Sequence, residues 1–141
     1  MKLGAGFLLV CPTTQRILLA LRTESKPVWS VFGGGLEKYE TPIQCAKREL
    51  IEEAGFIEGR DYKVMSTKPL NIGRYTNFVY RTFIGVTETE IIPSLNYEHS
   101  EYRWVAMNEI PDNRHFGLQQ MMGDPKTMKR LESALNPTVT D

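Results

Sequence analysis

The chain has 141 residues, enough for one domain spanning 1–141 with a core of its own. Its 17 Lys and Arg balance its 17 Asp and Glu, so no positive field draws in a nucleic-acid polymer and a small ligand is the better fit. No segment approaches the ~18 uninterrupted apolar residues of a membrane span, and Cys11 and Cys45 sit in apolar stretches, as reduced thiols of a cytoplasmic protein do.

Met1–Cys11 has the length of a short lipoprotein leader, but it carries two glycines and has Val10 where a small residue should precede the cysteine; it reads as a first strand. Phe7–Val10 and Ile17–Leu21 are apolar runs around Pro12-Thr13-Thr14-Gln15, a strand, a turn and a strand. Trp29–Phe32 leads into Gly33-Gly34-Gly35, which does not read as an ordinary strand: glycines permit positive φ and close backbone approach, and so a sharp turn that presents amides or carbonyls. A helix then spans Pro42–Ala54, with Thr41 as N-cap, Pro42 at N1, Gln44 closing a capping box and Gly55 ending it in the left-handed region. Ile43, Ala46, Leu50 and Ala54 form its apolar stripe. Further on, Tyr62–Thr67, Tyr75–Val86 and Tyr102–Met107 read as strands. A last helix opens at Asp124-Pro125, buries Leu131 and Leu135 and stops at Asn136-Pro137, leaving a frayed tail over 136–141. Strands interspersed with helices make this an α/β layer protein.

The chemistry is concentrated in Gly34–Phe56, GGLEKYETPIQCAKRELIEEAGF. Within Arg48-Glu49-Leu50-Ile51-Glu52-Glu53 the three acids fall within about 100° of one another on a helix turning ~100° per residue. Like charges at this spacing cost a few tenths of a kcal/mol per pair on a solvated helix. A divalent cation removes that cost, and hard oxygen ligands suit Mg²⁺ or Mn²⁺ together with phosphate oxygens.

These residues, Gly-x5-Glu-x7-Arg-Glu-Leu-x-Glu-Glu-x-Gly-Phe, resemble the signature box of the Nudix (MutT-like) hydrolases at every fixed position. The resemblance implies an α/β/α sandwich with a mixed β-sheet, and hydrolysis of a nucleoside diphosphate linked to a moiety X by water attacking phosphorus. Carried over by position, it implies Glu49, Glu52 and Glu53 as metal ligands, with the Gly34 carbonyl as a further one and Glu49 or Glu52 doubling as general base. Arg48 then orients a neighbouring glutamate through its planar fork, and Glu40 supports the loop. Relatives often have Pro and Gly where this chain has Phe32 and Tyr39, so the Tyr39 ring is expected to line or narrow the site.

Outside the box, Glu98 lies six residues before Trp104, where many relatives place a further acid; it is the candidate ligand or base, with Glu101 as the alternative. Arg22 and Arg74 are candidate phosphate contacts, and Trp29, Tyr75 and Phe78 candidate stacking partners for a base. His115 sits in a loop comparable to the one that supplies a histidine in the sugar-releasing GDP-mannose branch; His99 is a weaker candidate. Three readings follow: a Mg²⁺-dependent nucleotide pyrophosphohydrolase, a nucleotide-sugar hydrolase relying on His115, or a non-catalytic Nudix-fold nucleotide-binding domain. The complete acid set favours the first. Relatives include homodimers, and nothing in the sequence decides that state or the choice of substrate.

Overall fold

A computed structural model describes residues 1–137, so the tail expected over Thr138–Asp141 lies outside the described residues. The fold is built on strand β1 (Lys2–Cys11), which runs parallel to β7 (Phe78–Val86) along its length. Every other pairing between strands is antiparallel, which makes the sheet mixed. β2 (Arg16–Arg22) pairs on one edge with β8 (His99–Val105), while β5 (Lys63–Val64) and β6 (Asn71–Tyr75) both pair with β7. Three helices flank it: α1 (Pro42–Ala54), α2 (Phe116–Met122) and α3 (Pro125–Leu135).

Alternation along β1 and β2 feeds two cores. Phe7, Leu9, Leu18 and Ala20 face α1 and bury Cys45, Ala46, Leu50 and Ala54. Leu8, Val10, Ile17 and Leu19 face the other way, onto Leu118, Met121, Leu131 and Leu135 of α2 and α3. A sheet covered on both faces explains why its inner strands read as unbroken apolar runs.

The feature that positions a site is a split beside β1. Its second half pairs with β2 (Val10↔Ile17), whereas its first half pairs with β4 (Phe32–Gly35) from Gly4↔Gly35 to Phe7↔Phe32. Between them, β3 (Trp29–Ser30) still belongs to β2, so the chain crosses from one neighbour to the other at Val31. The sheet opens there, and α1 closes one side of the opening.

Several local expectations change. The glycine triplet is a strand, β4, and the positive-φ glycines among the described residues are Gly55 and Gly59 instead. Glycine is needed there for closeness: a Cβ on Gly33 would sit 1.8 Å from the Tyr80 hydroxyl, and one on Gly34 would sit 2.5 Å from Glu49 Oε2. The run Tyr75–Val86 is not one strand: Tyr75 ends β6, a strand not read from the sequence, and pairs with Phe78 of β7 across Thr76-Asn77. β5 is shorter than the Tyr62–Thr67 expected, and β8 starts at His99 and ends at Val105, before a 3₁₀ turn over Met107–Glu109. Asn136 is not frayed; it ends α3, with its N–H on the carbonyls of Glu132 and Ser133. Helix α2 was not anticipated. By contrast, α1 has the bounds read from the sequence, with both capping-box bonds present and Gly55 at φ 74°.

Candidate functional site

Helix α1 is held at both ends of its acidic segment. Arg48 donates to Glu40 at 2.7 and 3.0 Å, to Glu49 at 2.9 Å, to Glu52 at 3.2 Å and to the Gly35 carbonyl at 3.0 Å. One guanidinium thus ties the loop, the glycine strand and two box acids together, and its hydrogen bonds hold Glu40 below the usual carboxylate range. These bonds also push Arg48 upward, so its charge is permanent.

The box acids do not all face one way. Glu49 and Glu53, separated by about 40° around the helix, turn inward to 9% and 1% exposure beside β4. Glu52 lies about 100° from Glu53 and leaves its side chain 51% exposed against Arg48. The inward pair is joined by Glu98 from the loop before β8, and the carboxylates of Glu49, Glu53 and Glu98 offer oxygens all within 4.8 Å of one another. Asn96 arranges that loop: its Nδ2 donates to the Glu52 carbonyl at 3.1 Å and to Glu98 at 3.4 Å, and its Oδ1 accepts from the Glu98 N–H at 2.9 Å. Sequence reading missed Asn96, although an Asn side chain commonly accepts from the backbone N–H two residues on.

Electrostatically this trio is incomplete as it stands. Glu53 Oε1 accepts one hydrogen bond, from the Gly33 N–H at 2.8 Å, yet burial and the charges of Glu98 and Glu49 push its carboxyl up to about 8. Glu49 is raised as well, mainly by burial, despite Arg48. Two buried acids and a third within reach, short of cationic charge, fit a hard divalent cation. The Gly34 carbonyl lies on the same strand as the Gly33 amide that holds Glu53, and the Cys45 thiol donates weakly to it at 3.5 Å.

On the other face of β4 lies a cavity of about 230 Å³. Tyr75, Phe78 and Phe116 line it, Tyr75 stacked near Phe78 at 6.1 Å and edge-on to Phe116 at 5.1 Å. Arg22 and Gly33–Gly35 line it too, so the cavity meets β4, the strand whose Gly33 N–H holds Glu53. Two polar atoms in its wall, Ser30 Oγ and Gln120 Oε1, are buried without a hydrogen-bond partner among the described residues. A pocket of this make-up suits a flat ring with polar edges.

The remaining candidates separate clearly. Arg22 lines the cavity and pairs with Glu24. His115 also lines it, as N-cap of α2, its Nδ1 accepting from the Gly117 N–H at 3.1 Å. Arg74 is exposed on β6 and alternates away from Asn71, Gly73 and Tyr75, which face the cavity. Trp29 is a core residue, 4% exposed, with the Arg103 guanidinium 4.6 Å from its ring centre; it does not reach the cavity. The Tyr39 ring is 92% exposed and lines nothing, because its backbone takes φ 67° and turns the side chain into solvent. The loop still makes its turn, with a Glu40 N–H to Glu37 carbonyl bond at 3.1 Å. His99 is buried against Phe32, and burial pushes it down to about 4, so it is neutral.

A family model described as NUDIX domain matches residues 2–123. The chain belongs to the Nudix family. A Mycobacterium tuberculosis protein provisionally named 8-oxo-dGTP diphosphatase 3 is 33% identical over 118 residues, covering 77% of this chain and 54% of that protein. The chain thus spans about half the length of that relative. An RNA pyrophosphohydrolase of Rickettsia bellii is 27% identical over 125 residues, covering 76% of each chain. In fold, a crystal structure of a C. elegans Ap4A hydrolase superimposes with a TM-score of 0.77 at 14% identity, over 95% of this chain and 98% of that one. No helix of the described residues is long and apolar enough to cross a membrane.

Proposed function

We propose that this Nudix protein is a Mg²⁺-dependent pyrophosphohydrolase of a small nucleoside diphosphate derivative, with water attacking phosphorus. The observation that carries the reading is the Glu49–Glu53–Glu98 cluster meeting an aromatic cavity across one glycine strand, so that ring and anhydride of one ligand can be held at once. The relatives' names speak of 8-oxo-dGTP, RNA and Ap4A, each built from nucleotides.

In this reading Glu49, Glu53, Glu98 and the Gly34 carbonyl hold Mg²⁺, or Mn²⁺ in its place. Bound there, the ion neutralises phosphate charge and lowers the pKa of a water. The chain's own residues do the rest. Arg48 fixes the Glu49 carboxylate and draws Glu52 alongside it, Arg22 faces the phosphates, and the proton of the attacking water passes to one of Glu49, Glu52 or Glu98. Tyr75, Phe78 and Phe116 grip the base, and His115 shapes the cavity wall. Cys11 and Cys45, free and buried, suit a reducing cytoplasm. The neutral net charge favours a free small nucleotide over a polymer, as a monomer or a homodimer.

The test is a panel of (d)NTPs, oxidised dNTPs, dinucleoside polyphosphates, ADP-ribose, nucleotide sugars and a 5′-triphosphorylated RNA, with products resolved by mass. Mg²⁺-dependent release of a nucleoside monophosphate from a small member supports the reading. No turnover of any member with Mg²⁺ or Mn²⁺ defeats it.

A further inference from the structure

Tyr80 is the side chain around which the cavity end of β4 is built. Three glycines on two neighbouring strands make way for it. A Cβ on Gly4 would lie 2.8 Å from the Tyr80 ring, and Cβ atoms on Gly6 and Gly33 would lie 2.4 and 1.8 Å from its hydroxyl. The phenol therefore lies across the bare backbone of β1 and β4 and ends against Gly33, whose N–H holds Glu53. Its ring continues the aromatic series, 5.9 Å from Phe78, while its hydroxyl lies against Gly33, which lines the cavity together with Arg22. Among the described residues no hydrogen bond engages that hydroxyl, although three glycines make way for it.

Three glycines in strands lose side-chain packing. A phenylalanine ring would fill the slot they leave equally well. The position of the oxygen is what a phenylalanine could not supply: it lies against Gly33, between the aromatic cavity and the strand whose amide holds Glu53. On the basis of the proposed function, we infer that the Tyr80 hydroxyl donates a hydrogen bond to the phosphate next to the nucleoside, opposite Arg22, and so sets the anhydride in register with Glu49, Glu53 and Glu98. A donor beside a cation suits an anionic oxygen better than a sugar hydroxyl. Burial and the charges of Glu53 and Glu49 push the phenol above its ordinary value, so it stays protonated.

Tyr80→Phe tests this, because it keeps the ring in its glycine slot and removes one oxygen. Titration calorimetry with Mg²⁺ compares adenosine and guanosine with their 5′-monophosphates, alongside thermal melting. The expected result is weakening of the monophosphates by about tenfold, as for loss of one hydrogen bond to a charged group, with the nucleosides within twofold and the melting temperature not lowered. Equal weakening of nucleosides and monophosphates would reduce Tyr80 to a packing residue and overturn the assignment, as would unchanged affinity for both. If wild-type protein hydrolyses the phosphoanhydride panel and the variant keeps its phosphate-dependent gain in affinity, only the Tyr80 role falls. If the wild type neither binds the probes nor turns over the panel, the proposed function falls with it.

Discussion

Replacing Glu53 with Gln separates a structural acid from a cation-binding one, because the two roles predict opposite effects on stability. The side chain is 1% exposed and titrates near 8 in the fold against 4.5 as a free carboxyl. The folded state therefore holds a proton more tightly than the unfolded chain. Stability is at its full value below pH 4.5, falls as pH rises through the window up to about 8, and stays low above it. At about 1.4 kcal/mol per pKa unit, ionised Glu53 costs the metal-free fold on the order of 3–5 kcal/mol at pH 9. Gln keeps the shape and the acceptor for the Gly33 N–H but carries no charge, so the penalty disappears. For a chain of this size, with roughly 3–5 °C per kcal/mol, the variant in EDTA should melt on the order of 10 °C above wild type at pH 9, and level with it at pH 4.5.

With Mg²⁺ the order reverses. Wild-type protein should gain stability from the cation, and gain more as pH rises and the proton competes less. The variant should gain little and lose turnover altogether. Thermal melts at pH 4.5, 7 and 9, with EDTA and with Mg²⁺, read all of this from two proteins. The reasoning is refuted if Glu53→Gln in EDTA at pH 9 is no more stable than wild type, or if it retains Mg²⁺-dependent turnover.

Arg48→Lys keeps the charge but loses the fork that bridges Glu40, Glu49 and the Gly35 carbonyl; turnover should fall about 10–100-fold, as when the partner that orients a metal ligand is lost, and steady-state kinetics with metal titration would detect it. Gly34→Ala puts a Cβ 2.5 Å from Glu49 Oε2; kcat should fall more than tenfold with about 1–3 kcal/mol of destabilisation, and near-normal kcat would contradict the closeness argument. Tyr39→Gly relieves a left-handed residue at φ 67°; the gain of about 1–2 kcal/mol exceeds the entropy glycine adds to the unfolded chain, so the melting temperature should rise by a few degrees with unchanged kcat/KM, and altered kinetics would bring Tyr39 back to the site.

What was legible in the sequence was local chemistry. Thr41, Pro42, Gln44 and Gly55 each act on backbone groups within four residues, so both ends of α1 followed from the residues themselves. Gly33–Gly35 was misjudged for the opposite reason. Sequence reveals that glycine could turn, but the demand on it comes from Tyr80 and Glu49, far along the chain. The turn at Thr76-Asn77 contains no Gly or Pro, so the alternation of β7 runs back to Tyr75 and hides residues 71–74 as a strand of their own. Helix α2 was invisible because its cap is His115, an unusual capping residue, and because seven residues show little periodicity. A shared face for Glu49, Glu52 and Glu53 was too coarse a description: an arc of ~100° is wide enough for a helix packed on a sheet to bury two acids and leave the third in solvent. That Glu98 meets the inward pair depends on Asn96 and the path of a loop, which no periodicity encodes.

The role of His115 can be settled by the same kind of reasoning. Its Nδ1 accepts from the Gly117 N–H, and burial lowers its pKa, so at neutral pH the ring is an uncharged cap with its proton on Nε2. To act as general base for sugar release it would have to give up the cap, because Nε2 is already protonated. Asn is among the best N-caps, so His115→Asn should preserve α2 and remove only the ring chemistry. If water attacks phosphorus under carboxylate control, the variant should retain turnover within about threefold, a small change beside the 10²–10⁴-fold typical of a lost acid–base group. Its products from a nucleotide sugar should remain a nucleoside monophosphate and a sugar phosphate. A loss beyond a hundredfold with α2 intact, or release of free sugar and nucleoside diphosphate by the wild type, would move the reaction from phosphorus to the sugar carbon and make His115 its base.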